Sequence, residues 1–574
     1  MAQQPSVAAK TPTGPGWPAL LLVGYLLQVA WRLYLSWPII GPVAHADEDG
    51  YMLGARVLAG GAGATLPAWS IMRPIGYPLV LTPAYLLADD PARVYLIIHV
   101  INALLMAATF PLVYLLARRL FSLDKIWSAG LAFVLATLPS MVFFSEFALT
   151  DALLPALVMA LLLLVYGMLA GVGRRVWWCA IAAGAVAAYS ANTHVRGQVM
   201  LVVVTVVVVL SAWRRWLPWR AAAAYAASAV VVFGAGWLAN KWLEDRLFTT
   251  HAYSANGRVF GRLTSIKGIG RTACDGAGQI WHLCTSTYGL AALGLAATVW
   301  ALYRREWSRP TRVVLGSALA ITIGIALATA AGTPNEGRVN NHVYGRYVAM
   351  FAAFWALVGI VALLRAGWRR SAWLVAGGSA IVLLSLGAVL AYAGRRLAHE
   401  SYVNFDAPEL SFLSGDWGSL HIYQMTGYAI GFMVIFAATL AARAPRWLAM
   451  LTLTATMVLN LVAMVFITDH ISRTWADEQY NTTLPQLVRD AGVRPGDSVA
   501  EANTVGWWIN LRHQREVYWA ALPRFDPTGT PPDGVMFVVA PIGQSTDWDG
   551  TRYGYTLVLR YHEAYGNWAV WRHN

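Results

Sequence analysis

Charge is what this 574-residue chain has least of. Asp, Glu, Lys and Arg together make up 12% of it, against 58% hydrophobic residues. With a positive mean hydropathy, that balance excludes an ordinary soluble domain and marks a polytopic membrane protein. Cysteine is also scarce, three in all, too few for a disulfide framework. A removable signal peptide is missing as well: residues 1–16 form a tail without the charged head and small-residue cleavage site that processing requires. The apolar stretch at 17–40 therefore reads as an uncleaved anchor.

A spanning helix needs about 20 mostly apolar residues. By that measure thirteen spans are expected: 17–40, 92–117, 126–144, 152–170, 177–193, 197–213, 221–240, 288–303, 312–332, 347–364, 371–392, 425–442 and 447–467. The stretch at 76–88 is short and broken by Pro78 and Pro83, so it reads as a re-entrant or surface helix. Arginine and lysine clusters fall on alternate short loops: Arg118, Arg119 and Lys125; Arg174 and Arg175; Arg214, Arg215 and Arg220; Arg304, Arg305, Arg309 and Arg312; Arg365, Arg369 and Arg370; Arg443 and Arg446. Short positive loops stay cytoplasmic. The N-terminus is then cytoplasmic, the C-terminus extracytoplasmic, and nearly every carboxylate except Asp124 and Glu306 faces outward. The net charge of +13 is this topogenic signal plus attraction to the lipid bilayer, which leaves a nucleic-acid partner without support.

The outward loops hold the polar residues. Loop 41–91 opens with Asp47-Glu48-Asp49, continues into a short helical pattern at 51–59, and turns through Gly60, Gly61 and Gly63 into Arg73-Pro74-Ile75-Gly76-Tyr77-Pro78. The second loop, Ser145-Glu146-Phe147-Ala148-Leu149-Thr150-Asp151, sets two carboxylates five residues apart. His194 and Arg196 occupy the third turn. Loop 241–287 is basic, loop 333–346 contains Arg338, His342 and Arg346, and loop 393–424 carries Asp406, Glu409 and His421. From residue 470 to 574 the composition turns water-soluble, with a helical segment at 475–491 and strand patterns at 497–501, 534–540, 555–560 and 568–572, enough for a small extracytoplasmic α/β domain. Cys274 and Cys284 share loop 241–287, and a disulfide between them is expected there. Asn481-Thr482-Thr483 is a glycosylation sequon.

Together, His45-Ala46-Asp47-Glu48-Asp49-Gly50-Tyr51, Arg73-Pro74-Ile75-Gly76-Tyr77-Pro78 and Ser145–Asp151, behind an inward N-terminus, resemble the GT-C superfamily. These are membrane glycosyltransferases that use polyprenyl-phosphate sugars, among them protein O-mannosyltransferases, the lipid A aminoarabinose transferase and the mycobacterial arabinofuranosyltransferases. The resemblance covers roughly 17–200 by motif and the rest as architecture. It implies a catalytic aspartate at Asp47, with Glu48 as its neighbour, and the second-loop acid at Asp151 or Glu146.

The chemistry suits these residue types. A base must take the proton of an acceptor hydroxyl, and cations must stabilise charge growing on the departing phosphate. Asp47 suits the base, with Glu48 or Asp49 raising its pKa by like-charge repulsion. Arg338, His342 and Arg346 suit a phosphate clamp, joined by Arg73 and Arg196, since arginine forks match phosphate oxygens. Glu146 and Asp151 suit helix capping as well as catalysis. A divalent metal ion between Asp47 and Asp151, or none, are both open.

The expected architecture is a polytopic α-helical, GT-C-like bundle over 17–469 with a C-terminal α/β domain over 470–574. The expected function is an inverting transfer from a polyprenyl-phosphate-linked sugar to a glycan, lipid or protein hydroxyl at the outer face of a bacterial plasma membrane. A transporter or lipid flippase and a non-catalytic membrane subunit are the alternatives. The first would place its ionisable groups near the midplane, whereas here they gather at the surface, Arg32 excepted.

Overall fold

The computed structural model describes residues 16–44, 46–249, 251–334, 336–478, 486–543, 548–563 and 566–574. The N-terminal tail, His45, the middle of the 475–491 segment and the sequon at 481–483 lie outside the described residues. All thirteen expected spans fall on helices. Among the described residues nine helices are long and apolar enough to cross a membrane, or up to eleven if each of two bent pairs is one span. The other two are Arg174–Ala191 and the 14-residue Ala352–Arg365.

The bends have local causes. Lys125–Ala136 meets the tight turns of Pro139–Glu146 at 84°, so the expected span 126–144 is broken. The break frees carbonyls that the helix ladder would have used, and a buried polar group left unpaired is costly. Buried Arg32 of the first span fills that need, donating to the carbonyls of Ala136 and Met141 at 2.9 and 2.8 Å. The stretch 241–287, expected as a loop, is largely helical. Its last helix, Ile266–Ser286, buries one face in the bundle and meets Leu290–Arg304 at 115°. Tyr288 and Gly289 make that corner, both with left-handed φ, 54° and 78°.

That helix also overturns the expected disulfide. Cys274 and Cys284 are free thiols on the one helix Ile266–Ser286. Ten residues at about 1.5 Å rise separate them by roughly 15 Å, and a disulfide needs Cα atoms within about 7 Å.

The charge alternation survives folding as two distinct ends. At one, Arg365 donates to the carbonyl of Phe121, Arg370 pairs with Glu306, and Arg309 lies 5.0 Å over the Trp216 ring. Four of the basic loops meet there. The acids of the first two outward loops gather at the other end.

The C-terminal sheet has five strands: β1 Val499–Ala502, β2 Arg524–Phe525, β3 Phe537–Pro541, β4 Tyr555–Glu563 and β5 Gly566–His573. Their order is β2-β1-β3-β5-β4. β1 runs parallel to β2 and β3, and β5 pairs antiparallel with β3 and β4. Strands β1 and β3 to β5 match the sequence pattern; β2, two residues long, gives no readable alternation. The helix Trp507–Glu516 crosses from β1 to β2. Its Leu511 packs with Leu53, Leu66, Leu243 and Leu247, so the sheet region is joined to the helix Asp47–Leu58.

Candidate active site

The helix Asp47–Leu58 begins at the acidic triplet, where the positive end of the helix dipole favours carboxylates. Successive residues step about 100° around a helix, so the three acids diverge. Glu48 turns into the bundle and is fully buried. Its oxygens accept from the backbone N–H groups of Val43, Ala44 and Ala148, each at 2.7 Å, and from the Tyr95 hydroxyl at 2.6 Å. Four donors consume it, so the expected catalytic partner is a structural brace. Asp49 turns the other way, accepting from the Ala46 N–H at 3.1 Å and from Arg515 at 2.8 Å. Asp47 alone faces outward, its side chain 45% exposed.

Asp47 Oδ1 pairs with Arg73. Arg73 reaches it across Gly50, where an added Cβ would lie 2.6 Å from the arginine Cγ. Gly76 is equally constrained: its Cβ would lie 2.2 Å from Thr193 Oγ1, and its N–H donates to the carbonyl of Asn192 at 2.8 Å. The Arg73–Pro78 turn thus abuts the turn that carries His194 and Arg196.

Asp151 lies buried between two guanidinium groups. Arg196 Nη1 donates to Oδ1 at 2.9 Å, and Arg346 donates to Oδ2 from Nε at 3.2 Å and Nη2 at 2.9 Å. Arg346 Nη1 also stands 3.8 Å from Asp47 Oδ2. The result is a chain of alternating charge, Arg73, Asp47, Arg346, Asp151, Arg196, with three cations against two anions. Asp151 holds arginines rather than capping its helix. Around the chain, Arg196 lies 5.2 Å over the Tyr347 ring and Arg346 rests on Phe144 and Phe405 at 5.2 and 5.8 Å. Burial, then Arg196, holds the His194 imidazole well below its ordinary pKa. Its Nδ1 faces the Arg196 backbone N–H at 3.2 Å, the N-cap of the following helix.

The rest of the expected site scatters. Glu146 is fully buried, its carboxylate held by the hydroxyls of Thr468 and Ser472, and it ties the second loop to the last span. Arg338 pairs on the surface with Glu336 at 3.5 Å. His342 lies between two carboxylates, Nδ1 at 3.0 Å from Asp275 and Nε2 at 3.1 Å from Glu400, so both ring nitrogens are committed and neither is offered to a phosphate. The tight turns Val339–His342 and Gly345–Tyr347 separate these side chains, so of the clamp only Arg346 reaches the charge chain.

Sequence reasoning missed Asp406. It is buried beside Tyr344, and burial lifts its carboxyl to about 6 against the pull of Arg346 and Arg338. Its loop was readable as acidic; nothing in the spacing singled it out. Among the described residues no group of three or more His, Cys, Asp or Glu is placed to hold a metal ion. Asp47 and Asp151 already face guanidinium groups, a donor set that does not fit a divalent cation.

No family model matches the sequence, and comparison with curated proteins finds no match. Solved structures do match. ArnT from Cupriavidus metallidurans bound to undecaprenyl phosphate aligns over 97% of this chain and 98% of that chain, with TM-score 0.52 and 15% identity. Its apo state gives 0.51 at 15% identity over 97% of both. Arabinosyltransferase EmbB from Mycobacterium smegmatis overlaps more loosely, TM-score 0.40 and 16% identity over 84% of this chain and 43% of that one. Nearly complete coverage of both chains at so low an identity shows that this chain shares the fold of the ArnT structures.

Proposed function

We propose that this chain is an inverting glycosyltransferase, moving a sugar from a polyprenyl-phosphate donor to a hydroxyl acceptor at the outer face of the membrane. The observation that carries this reading is the charge chain: a half-exposed carboxylate at the edge of a buried array with one more cation than anions. Such an array favours one added anion, and arginine is suited to phosphate. In the proposed reaction the donor phosphate draws Arg73 and Arg346 from Asp47, which leaves that carboxylate free. The acceptor oxygen then attacks the anomeric carbon from the face opposite the phosphate while its proton passes to Asp47. The bond from the anomeric carbon to the phosphate oxygen breaks, its electron pair stays on that oxygen, and the guanidinium groups hold the resulting polyprenyl phosphate. Support also comes from the fold-mate bound to undecaprenyl phosphate. Outer-face placement is supported by the basic loops at the opposite end of the bundle, and residues 470–574 share the acidic side through the Asp49–Arg515 pair.

The test is Asp47→Asn in purified protein assayed with a radiolabelled undecaprenyl-phosphate-linked sugar. Transfer should fall by about 10²–10⁴-fold while undecaprenyl phosphate still binds. Unimpaired transfer removes Asp47 from the mechanism.

A further inference from the structure

At the end of the bundle opposite Asp47, a cleft of about 760 Å³ opens between the helices Leu290–Arg304 and Trp368–Ala393. Its floor is made of small residues. A Cβ at Gly377 would meet Ala296 at 3.3 Å, so the two helices leave a furrow where larger side chains would fill it. Its walls are aromatic and outward-facing, with Tyr303 79% and Trp373 65% exposed. Aromatic rings of that kind sit at the boundary between hydrocarbon and headgroups.

The rim decides the ligand. Glu306 is already committed: it accepts from Trp300 Nε1 at 3.3 Å and pairs with Arg370. Arg304 lies over Trp300 and Tyr303 at 5.2 and 5.8 Å, beside the mouth. Exposed Arg369 also lines the cleft and makes no hydrogen bond or ion pair among the described residues. Three arginines thus surround one neutralised glutamate. A second cleft, about 630 Å³ between Lys125–Ala136 and Arg446–Ile467, is also mainly apolar, but its charged residues are one acid, Asp124, and one base, Arg446. Similar hydrocarbon room with cancelled charge makes it an internal control.

We infer that the cleft between Leu290–Arg304 and Trp368–Ala393 seats one diacyl phospholipid with an anionic headgroup, drawn from the leaflet that the basic loops face. One acyl chain lies along Ala296 and Gly377, and the phosphate meets Arg369 and Arg304. Clustered arginines beside a membrane helix favour such headgroups. The inference does not depend on the proposed reaction.

Native mass spectrometry of the delipidated full-length protein tests it, with phosphatidylglycerol and phosphatidylcholine as probes. The first phosphatidylglycerol should bind at least tenfold more tightly than phosphatidylcholine. Replacing both Arg304→Gln and Arg369→Gln should weaken it by roughly 30-fold, about a factor of five per arginine. Arg446→Gln in the control cleft should leave it unchanged. Gly377→Leu, which fills the floor without altering charge, should weaken both lipids together. Equal affinity for the two lipids overturns the inference, as does a preference that survives loss of both arginines. Displacement of phosphatidylglycerol by undecaprenyl phosphate at lower concentration would assign the cleft to a different lipid.

Discussion

Asp151 lies between Arg196 and Arg346, and four residues before Arg346 the imidazole of His342 lies between Asp275 and Glu400. The two clusters differ in composition, one acid between two arginines against one imidazole between two acids, and in closure. The first carries surplus positive charge and ends on a half-exposed carboxylate. The second adds Arg271, paired with Asp275 at 3.1 Å, and its groups are at most 15% exposed. An array with an open end can exchange a partner for a ligand, whereas a closed one holds backbone in place. His342 fastens the 339–347 segment to the helix Ile266–Ser286, and that segment delivers Arg346 to the charge chain.

The contrast breaks most visibly at Asp151. Asp151→Ala leaves two buried guanidinium groups without their shared counter-charge and should cost about 3–5 kcal/mol of stability, read as a lowered melting temperature. Glu400→Gln, partly exposed, should cost about 1 kcal/mol. Equal losses would erase the distinction. Next in size is Arg346→Ala, which should slow transfer by about 10²–10³-fold in an initial-rate assay with the lipid-linked sugar. His342→Gln should stay within about tenfold of the parent, acting only through the position of Arg346.

Asp406 supplies the pH dependence. Its folded-state pKa of about 6 lies above the ordinary value of about 3.9, so the folded protein holds a proton that the unfolded chain has lost. That contribution is complete below about pH 4 and disappears as the pH rises through 6, on the order of 3 kcal/mol. Melting curves between pH 4 and 7 should flatten in Asp406→Asn. A smaller effect on ligand binding is expected at Gly50→Ala. Its methyl group displaces Arg73 at a cost of about 1–2 kcal/mol, seen as several-fold weaker undecaprenyl phosphate binding.

How much of this was legible depended on distance along the chain. The spans, the polarity of the two ends and the residue types of the charge chain follow from local pattern, and five of the expected site residues converge: Asp47, Arg73, Asp151, Arg196 and Arg346. Glu48 misled because adjacency in sequence is not adjacency in a helix. His342 misled because its carboxylate partners lie 67 and 58 residues away. The expected loop at 241–287 concealed a helix because Ile266–Ser286 buries polar residues such as Gln279 and His282. Hydropathy reads a packed polar helix as a solvent loop. Asp49 was expected only as a charge beside Asp47, since no local signal announces a partner in the C-terminal region.

That partner has a consequence for biosynthesis. Asp49 and Arg515 are 466 residues apart, and at roughly 5–20 residues per second a ribosome needs on the order of 20–90 s to make the intervening polypeptide. Until then the first turn bearing Asp47 lacks one of its fastenings, so a nascent chain already threaded into the bilayer has not yet completed the site around Asp47. Products that terminate early would stay in the membrane without the Asp49–Arg515 pair.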